Sequence, residues 1–466
     1  MPLLNNFFKS VILLFIFPLV QAQEIDVFDM PLLGTKPEGS RVFRRKIDPD
    51  FAYTELTLLN GVQIILKTTK FDENRVLFAG YSAGGSSIYL DEDYMSASMA
   101  TEIVTASGLA EFDKPALDIK LAQQAVSLTP YIFDIYEGIT GYSSTEDLET
   151  LLQLNYLYFT NTRRDEIAFN NFIEQLKNSS ESMMKIPFYT YLDSLNKIRT
   201  SNAPRSVIFP SMKQIERIKL DNALYIFNDR FADAGDFKFF LVGNFNINAV
   251  TPLLEKYLGG LPTKKRIETW RDVSPAFPKG INTFTLKQNH PDKCNLNIAM
   301  EGDFNWNVKE MIYFEIFTEI LKNKLRKNIS VEQSDALYIN VLGNLIRYPK
   351  SRYSLDIECV CSPEKAEDMK NMIFAEAKKI KDNGPDEADL NLIKEYLIRQ
   401  REANMANNEY WMSAFLNLYQ NGEKIMSLND YKKAVNSVKT SDVKKVARQY
   451  FNETNYLVGF FMPPAY

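Results

Sequence analysis

The sequence predicts an α+β protein with two similar domains, each a mixed or antiparallel sheet packed against helices. Short runs that alternate apolar and polar residues are typical of half-buried strands, and they open both halves of the chain. Longer segments with helical periodicity follow each group of strands. Because strand pairs come first in each half, a parallel, doubly wound sheet fits poorly.

The composition supports a globular chain and disfavours several functions. Of 466 residues, 45% are hydrophobic and 13% aromatic, and the net charge is −5. Mild acidity matches nucleic-acid binding poorly, because that function leaves a basic footprint. The chain has a single histidine, His290, whereas a self-contained zinc hydrolase usually needs two or three imidazoles.

The first 50 residues are predicted to lie outside the two domains. In residues 1–22, Lys9 precedes an apolar run of about ten residues, which is too short to span a bilayer at about 20. The segment ends at Ala22 with the small residue that signal peptidase prefers, so we expect a signal peptide and export to the periplasm or beyond. Residues 23–50, with scattered Pro and Gly, are predicted as an extended lead-in.

The first domain is predicted over residues 51–262. Two alternating strands, 55–59 and 62–67, are joined by Asn60-Gly61, which is the strongest short hairpin signal. The remaining predicted elements are a strand (75–82) that ends at Gly84-Gly85, a mainly helical stretch (92–233), a strand (237–242) and a helix (247–258).

A linker and a second domain follow. Residues 263–282 shift in composition to Lys, Arg, Pro and Ser, which is typical of a linker, and residues 283–466 repeat the plan of the first domain. Ser362-Pro363 is predicted as the N-cap and first position of an amphipathic helix after the strand 353–361. The other predicted elements are strands (283–286, 295–300 and 456–462) and helices (308–326, 386–405, 408–420 and 440–451).

Several short phrases, in this order and spacing, carry a resemblance to a known family. From about residue 40 onward the sequence resembles the insulinase/pitrilysin-type zinc peptidases, and in particular the non-catalytic C-terminal half of their long exported bacterial members. The resemblance implies that the two domains form half of a clamshell. The phrases are Leu58-Leu59-Asn60-Gly61-Val62, Ala83-Gly84-Gly85-Ser86, Leu258-Gly259-Gly260-Leu261-Pro262 and Asn408-Glu409-Tyr410-Trp411.

The zinc motif of that family is degenerate in this chain. Active domains carry H-x-x-E-H on a helix, where both histidines bind zinc and the Glu activates water. Alignment of Gly108 and Phe112 with the Gly and Phe that follow the motif places its Glu at Glu102 and its histidines at Met99 and Ile103. The resemblance therefore implies no catalytic residue and no metal in this chain. Without imidazoles to hold zinc, Glu102 alone cannot polarise water, which favours its interpretation as an ordinary helix carboxylate.

The resemblance also implies two substrate-binding residues. In the family, an Arg and a Tyr of the final domain bind substrate near the scissile bond, and they correspond to Arg326 and Tyr338. A guanidinium and a phenol can donate hydrogen bonds to a peptide carbonyl and to the developing oxyanion. The alternative is a cation that complements a helix C-terminus and an ordinary strand tyrosine.

Three functions follow from these observations. The main hypothesis is a non-catalytic, substrate-holding subunit, inactive alone, that forms a heterodimer with a separate zinc-motif-bearing peptidase chain. Zinc is then expected in the partner, the ligand is a peptide substrate, and neither nucleic acid nor membrane insertion after signal cleavage is expected. The second is a half-clamshell that binds peptides without a proteolytic role. The third is an independent hydrolase that relies on His290.

Overall fold

The computed structural model describes residues 27–288, 292–331 and 338–464. Two mixed sheets packed against helices make up these residues, so the predicted α+β class with two similar domains is confirmed. The predicted signal peptide, residues 1–22, and His290 lie outside the described residues.

The first sheet has seven strands in the order β1-β2-β3-β7-β4-β6-β5. All neighbours are antiparallel except β3 and β7, which are parallel. The strands are β1 (Val42–Asp48), β2 (Tyr53–Leu58), β3 (Gln63–Thr68), β4 (Val76–Ala83), β5 (Val126–Ile132), β6 (Tyr136–Ser143) and β7 (Lys238–Gly243). The helices are α1 (Tyr94–Ser98), α2 (Ala100–Ser107), α3 (Lys114–Leu121), α4 (Leu148–Thr160), α5 (Glu166–Met184), α6 (Pro187–Arg199), α7 (Met212–Ile215), α8 (Leu220–Arg230) and α9 (Ile247–Tyr257).

The second sheet has five strands in the order β10-β11-β9-β12-β8, with β12 and β8 parallel. Its strands are β8 (Ile281–Lys287), β9 (Cys294–Asp303), β10 (Tyr338–Ile346), β11 (Arg352–Cys361) and β12 (Tyr456–Met462). Its helices are α10 (Val308–Val331), α11 (Ala366–Asn383), α12 (Glu387–Asn404), α13 (Asn408–Asn421), α14 (Leu428–Asn436) and α15 (Thr440–Tyr450).

The two sheets repeat one topology. The order β3-β7-β4-β6-β5 in the first sheet matches β8-β12-β9-β11-β10 in the second, and the last strand of each domain pairs parallel with the first of its five. In this correspondence β9 takes the place of β4, and α10 follows β9 in the chain just as α1 and α2 follow β4. The second domain is therefore a structural repeat of the first, as the sequence predicted.

Helix α13 of the second domain packs on the first sheet. Successive residues of a strand face opposite sides, so Val76 and Phe78 of β4 enter the core of the first domain while Leu77 and Ala79 face away from it. Trp411 and Phe415 cover that second face. The sheet is thus buried on both faces, and the second domain supplies one of the two covers.

Helix α6 of the first domain packs on the second sheet in the same way. Tyr191 stacks on Phe461 of β12 with 5.5 Å between ring centroids, and its hydroxyl donates to Asn297 Oδ1 at 2.8 Å. Arg199 binds Glu301 and Asp356, each at 2.6 Å. A Cβ on Gly459 would lie 2.4 Å from the Tyr191 hydroxyl, so only glycine there lets α6 approach so closely. Each domain therefore covers a sheet of the other.

Several elements differ from the sequence expectations, and β10 and α14 were not among the predicted elements. Val42–Asp48, within the predicted lead-in, forms the outer strand β1. The stretch predicted as mainly helical contains the hairpin of β5 and β6, and α10 continues beyond residue 326 to Val331. In the described ranges no helix is long and apolar enough to span a membrane.

Truncation of the α13 contact should destabilise both domains together. Phe415 is fully buried between α13 and the first sheet, so we expect Phe415→Ala to lower the free energy of unfolding by about 3 to 5 kcal/mol. Urea denaturation followed by circular dichroism measures the effect. Phe43→Ala, at a 71% exposed site on β1, is the matched control and should change it by less than about 0.5 kcal/mol. Equal effects of the two substitutions would contradict the proposed packing role.

Candidate functional site

The degenerate motif positions lie where α1 meets α2. Met99 joins the two helices, and its partly buried side chain packs against the core of the first domain. Ile103, one turn further, is fully buried in that core. Zinc in this motif needs imidazole nitrogens, and isoleucine offers no ligand atom. The residues present at these positions therefore do not fit zinc.

Glu102 behaves as a surface carboxylate of α2. It is exposed and accepts a hydrogen bond from Thr101 Oγ1 at 2.9 Å. Within residues 27–288, 292–331 and 338–464, no group of three or more His, Cys, Asp or Glu side chains is placed to hold a metal ion.

Arg326 and Tyr338 lie at one end of the second sheet. Tyr338 begins β10 and is 46% exposed. Arg326, exposed on α10, donates from Nε to the carbonyl oxygen of Ile339 at 3.3 Å and from a terminal nitrogen to Asn340 Oδ1 at 3.5 Å. Because α10 continues to Val331, Arg326 precedes its last turn and contacts β10 instead of the helix end. The structure thus brings Arg326 to the strand that Tyr338 begins.

A cavity of about 870 Å³ runs beside β10, between α10 and α13. We call it the β10 groove. One wall is formed by the strand, at Val341, Gly343 and Leu345, and the facing wall by α13, at Ser413 and Asn417. A smaller cavity of about 340 Å³ shares Leu345 with the groove and continues past the end of β10. The groove therefore extends along the strand that Tyr338 begins.

A carboxylate and a cation share the floor of the β10 groove without pairing directly. Glu315 of α10 accepts a hydrogen bond from the Tyr431 hydroxyl at 3.4 Å, and the surrounding protein raises its pKa although the side chain is open to the cavity. Arg401 lies 4.2 Å from the centroid of the Tyr431 ring and donates to the Tyr410 hydroxyl at 2.6 Å.

The β10 groove is not predictable from local patterns in the sequence. Its residues come from segments about 100 positions apart in the chain, and no local motif links them. One signal was available: Glu315 interrupts an otherwise apolar run, residues 311–317, of α10. A carboxylate on such a helix is either paired or faces a cavity, because burying an unpaired charge is unfavourable.

A second cluster of ionisable groups lies in the first domain, at the ends of β4 and β6. Arg230 and Glu137 are fully buried, 3.9 Å apart, and the Glu137 carboxylate accepts a hydrogen bond from the Gly85 amide. Arg230 also binds Glu268, in the predicted linker, at 2.9 Å. Because Arg230 divides its charge among several carboxylates, burial dominates and raises the pKa of Glu137 to about 8. The cluster fixes the linker to the first domain.

Comparison with known families and structures tests the resemblance that the sequence suggested. Residues 221–397 match a family described as "Peptidase M16 inactive domain". The predicted resemblance to the insulinase/pitrilysin-type peptidases is thereby confirmed, and the match to the inactive domain covers residues 221–397.

Curated relatives are longer proteins. The chain is 25% identical over 406 residues to a "Zinc protease PQQL-like" of Arabidopsis thaliana, a match that covers 84% of this chain and 40% of that protein. It is 23% identical over 349 residues to a "Probable zinc protease PqqL" of Haemophilus influenzae, a match that covers 74% of this chain and 36% of that protein. The chain thus spans less than half the length of these relatives.

Solved structures show the same fold. The periplasmic protease PqqL from Escherichia coli superposes with a TM-score of 0.77 at 17% identity, over 94% of this chain and 48% of that one. The peptidase M16 inactive domain from Pseudomonas fluorescens superposes with a TM-score of 0.71 at 15% identity, over 89% of this chain and 98% of that one. The chain therefore has the fold of one peptidase half.

The motif positions should differ sharply in their tolerance of polar residues. Ile103→His places an imidazole in an apolar core, so we expect the free energy of unfolding to fall by about 2 to 4 kcal/mol. Glu102→Gln alters an exposed carboxylate and should change it by less than about 0.5 kcal/mol. Urea denaturation of both variants measures the difference. A neutral effect of Ile103→His would show that this position is not part of the core.

Glu137 should make stability depend on pH. The pKa of Glu137 rises from 4.5 to about 8 on folding, so between these values the native state holds a proton that the unfolded chain has lost. The free energy of unfolding therefore falls as pH rises through this window, by about 3 to 5 kcal/mol from this group alone. Urea denaturation at pH 5 and pH 8 should show a smaller loss in Glu137→Gln. Equal losses in both proteins would contradict the buried, protonated carboxyl.

Proposed function

We propose that this chain is the non-catalytic, substrate-holding subunit of a two-chain zinc metallopeptidase. The partner is a chain that bears H-x-x-E-H and holds the zinc. The observation that carries the proposal is the filling of both histidine positions by Met99 and Ile103 within an intact peptidase-half fold. The match of residues 221–397 to the inactive domain supports it.

Arg326 and Tyr338 are the substrate-holding residues in this proposal. Both are exposed, and both lie at the same end of the second sheet. A guanidinium and a phenol can donate to a peptide carbonyl, and the donation strengthens as negative charge develops on its oxygen during cleavage by the partner. The chain would thus contribute hydrogen-bond donors to a reaction whose nucleophile the partner activates.

The location follows from the same proposal. Residues 1–22 act as a signal peptide, and the mature chain meets its partner in the periplasm or outside the cell. The related PqqL of Escherichia coli is described as a periplasmic protease, which supports this location.

The second candidate is a half-clamshell that binds peptides without taking part in their cleavage. The β10 groove favours it, because the groove is complete within this chain and needs no partner residue. Under this alternative the chain binds peptides alone and leaves the activity of a zinc-motif-bearing chain unchanged.

Reconstitution with a motif-bearing peptidase chain tests the main proposal. The mixture should cleave peptides at least about tenfold faster than either chain alone, and Arg326→Ala should lower kcat/KM of the mixture by about tenfold. Arg399→Ala removes an exposed arginine of α12 and is the matched control, with no expected change. A chain that neither binds the partner nor alters its peptidase activity would refute the subunit proposal.

A further inference from the structure

The cysteines of the chain lie together at one end of the second sheet. Cys294 begins β9 and Cys361 ends β11, and the two residues are directly opposite in the antiparallel ladder. Cys359 comes two residues before Cys361 and lies opposite Leu296. All three cysteine side chains are buried in the core of the second domain, so they lie on the same face of the sheet. One face of two adjacent strands thus holds all three thiols of the chain.

The thiol of Cys361 lies between the other two. It accepts hydrogen bonds from the thiols of Cys294 and Cys359, and these hydrogen bonds lower the pKa of Cys361. The positive charge of Lys293, the residue before Cys294, lowers it further. Only the thiolate form of cysteine attacks a disulfide. Cys361 is therefore the nucleophile of this group of thiols.

The register places only one pair of these cysteines for a disulfide. Directly opposite residues of an antiparallel pair, such as Cys294 and Cys361, have Cα atoms about 4.5 to 5.5 Å apart, and disulfides span about 4.4 to 6.8 Å. Their Cβ atoms are also about 4.5 to 5.5 Å apart, so a shift of about 1 Å or less brings them to bonding distance.

The other two pairs are too far apart. Cys294 and Cys359 are diagonal neighbours across the ladder, with Cα atoms about 7 to 8 Å apart. Cys359 and Cys361 are two positions apart in one strand, so their side chains point the same way and their Cβ atoms are about 6.5 Å apart. A disulfide needs Cβ atoms about 3.5 to 4.5 Å apart. Cys359 is therefore left without a partner for a bridge.

The position of Cys294 and Cys361 at the strand ends makes the bridge attainable. Both side chains are fully buried, so an oxidant does not reach them in the closed sheet. Strand ends open at a lower free energy than strand centres, and such local opening exposes both thiols. The same freedom at the end of the ladder admits the small shift that the bridge requires.

We propose that Cys294 and Cys361 form a disulfide and that Cys359 remains a free thiol. The oxidant is a small disulfide such as oxidised glutathione, or the disulfide of a thiol-exchange protein. The Cys361 thiolate attacks one sulfur of that disulfide, which forms a mixed disulfide and releases the first thiol. The Cys294 thiolate then attacks the Cys361 sulfur and releases the second thiol. The two protons of the cysteines leave on the two released thiols, so the oxidant is reduced as the bridge forms.

The bridge would enclose the segment that carries the proposed substrate-holding residues. Residues 294–361 include α10 and β10, and hence Arg326 and Tyr338. A disulfide between the ends of so long a segment restricts the unfolded chain strongly, which favours the folded state. The inference does not depend on the proposed function, because it requires only the register of β9 and β11.

Refolding in the presence of oxidised glutathione tests the pairing. The full chain is unfolded and refolded with the oxidant, the remaining thiols are blocked with N-ethylmaleimide, and the digested protein is analysed by mass spectrometry. We expect one blocked thiol per chain and a cross-link between the peptides that contain Cys294 and Cys361. A chain without any cross-link, or a cross-link through Cys359, would overturn the proposal.

Matched serine substitutions identify the bridged cysteine of β11. Cys361→Ser should abolish the cross-link, whereas Cys359→Ser, the same change two positions away on the same face, should retain it. Both substitutions remove a buried thiol from one core, so the comparison separates pairing from a general effect on folding. A cross-link in Cys361→Ser, or its absence from folded Cys359→Ser, would contradict the assignment.

Thermal unfolding shows whether the bridge fits the native ladder. Oxidised wild-type protein should unfold about 4 °C or more above the reduced protein, and a reductant should reverse the rise. The oxidant should leave the Tm of Cys361→Ser unchanged. A bridged protein whose Tm is equal to or below that of the reduced protein would show that the bridge strains β9 and β11, and would overturn the proposed fit. These measurements need no partner chain, so their outcome is separate from the subunit proposal.

Discussion

The exchange of helices between the domains is the constraint on which the rest of the structure depends. Both sheets have two apolar faces. Leu77 and Phe78 are adjacent in β4 and buried on opposite sides of the first sheet. In β12 of the second sheet, Phe460 lies in the core of its domain while Phe461 contacts Tyr191 of α6. The helices of the first domain cover only one face of its sheet, and α13 covers the other. In return α6 covers part of the second sheet. A sheet with one uncovered apolar face would expose a large hydrophobic surface, so neither domain completes its burial alone.

The β10 groove is a consequence of that exchange. Helix α13 belongs to the second domain by sequence but packs on the first sheet, which leaves a gap between α13 and its own strand β10. The second sheet keeps a free edge at this gap, because α6 crosses the opposite face near β12 and β9. The packing that joins the two domains therefore also leaves the β10 groove open within the second domain.

Local signals in the sequence predicted most of the fold. Asn60-Gly61 joins β2 to β3, as predicted. Ser362 is the N-cap and Pro363 the first residue of a short 3₁₀ helix, Pro363–Lys365, which leads directly into α11. The hairpin of β5 and β6 was missed because Pro130 interrupts its first strand, and proline is tolerated there only because β5 lies at the edge of the sheet. That position is a property of the tertiary structure, which the local pattern does not contain.

The candidate site was predictable only where single residues decide its chemistry. Alignment identified Met99, Ile103, Arg326 and Tyr338 one position at a time, and the structure places the first two against the core and the last two at one end of β10. The groove depends instead on how α10, α13 and β10 come together, and long-range packing of this kind leaves no periodic signal. Glu315 was visible only as a charge on an apolar helix.

The residues at the aligned motif positions suit a domain that holds no zinc. Imidazoles that bind a metal are polar groups held at the edge of a core, and without the metal they would be buried with few partners. Ile103 removes that penalty and adds apolar surface to the core of the first domain. An isoleucine at this position therefore suits the core of a domain that holds no zinc, and the edge of β10 lies in the other domain. In the proposed function, peptide holding does not depend on the motif positions, because Ile103 and β10 belong to different domains.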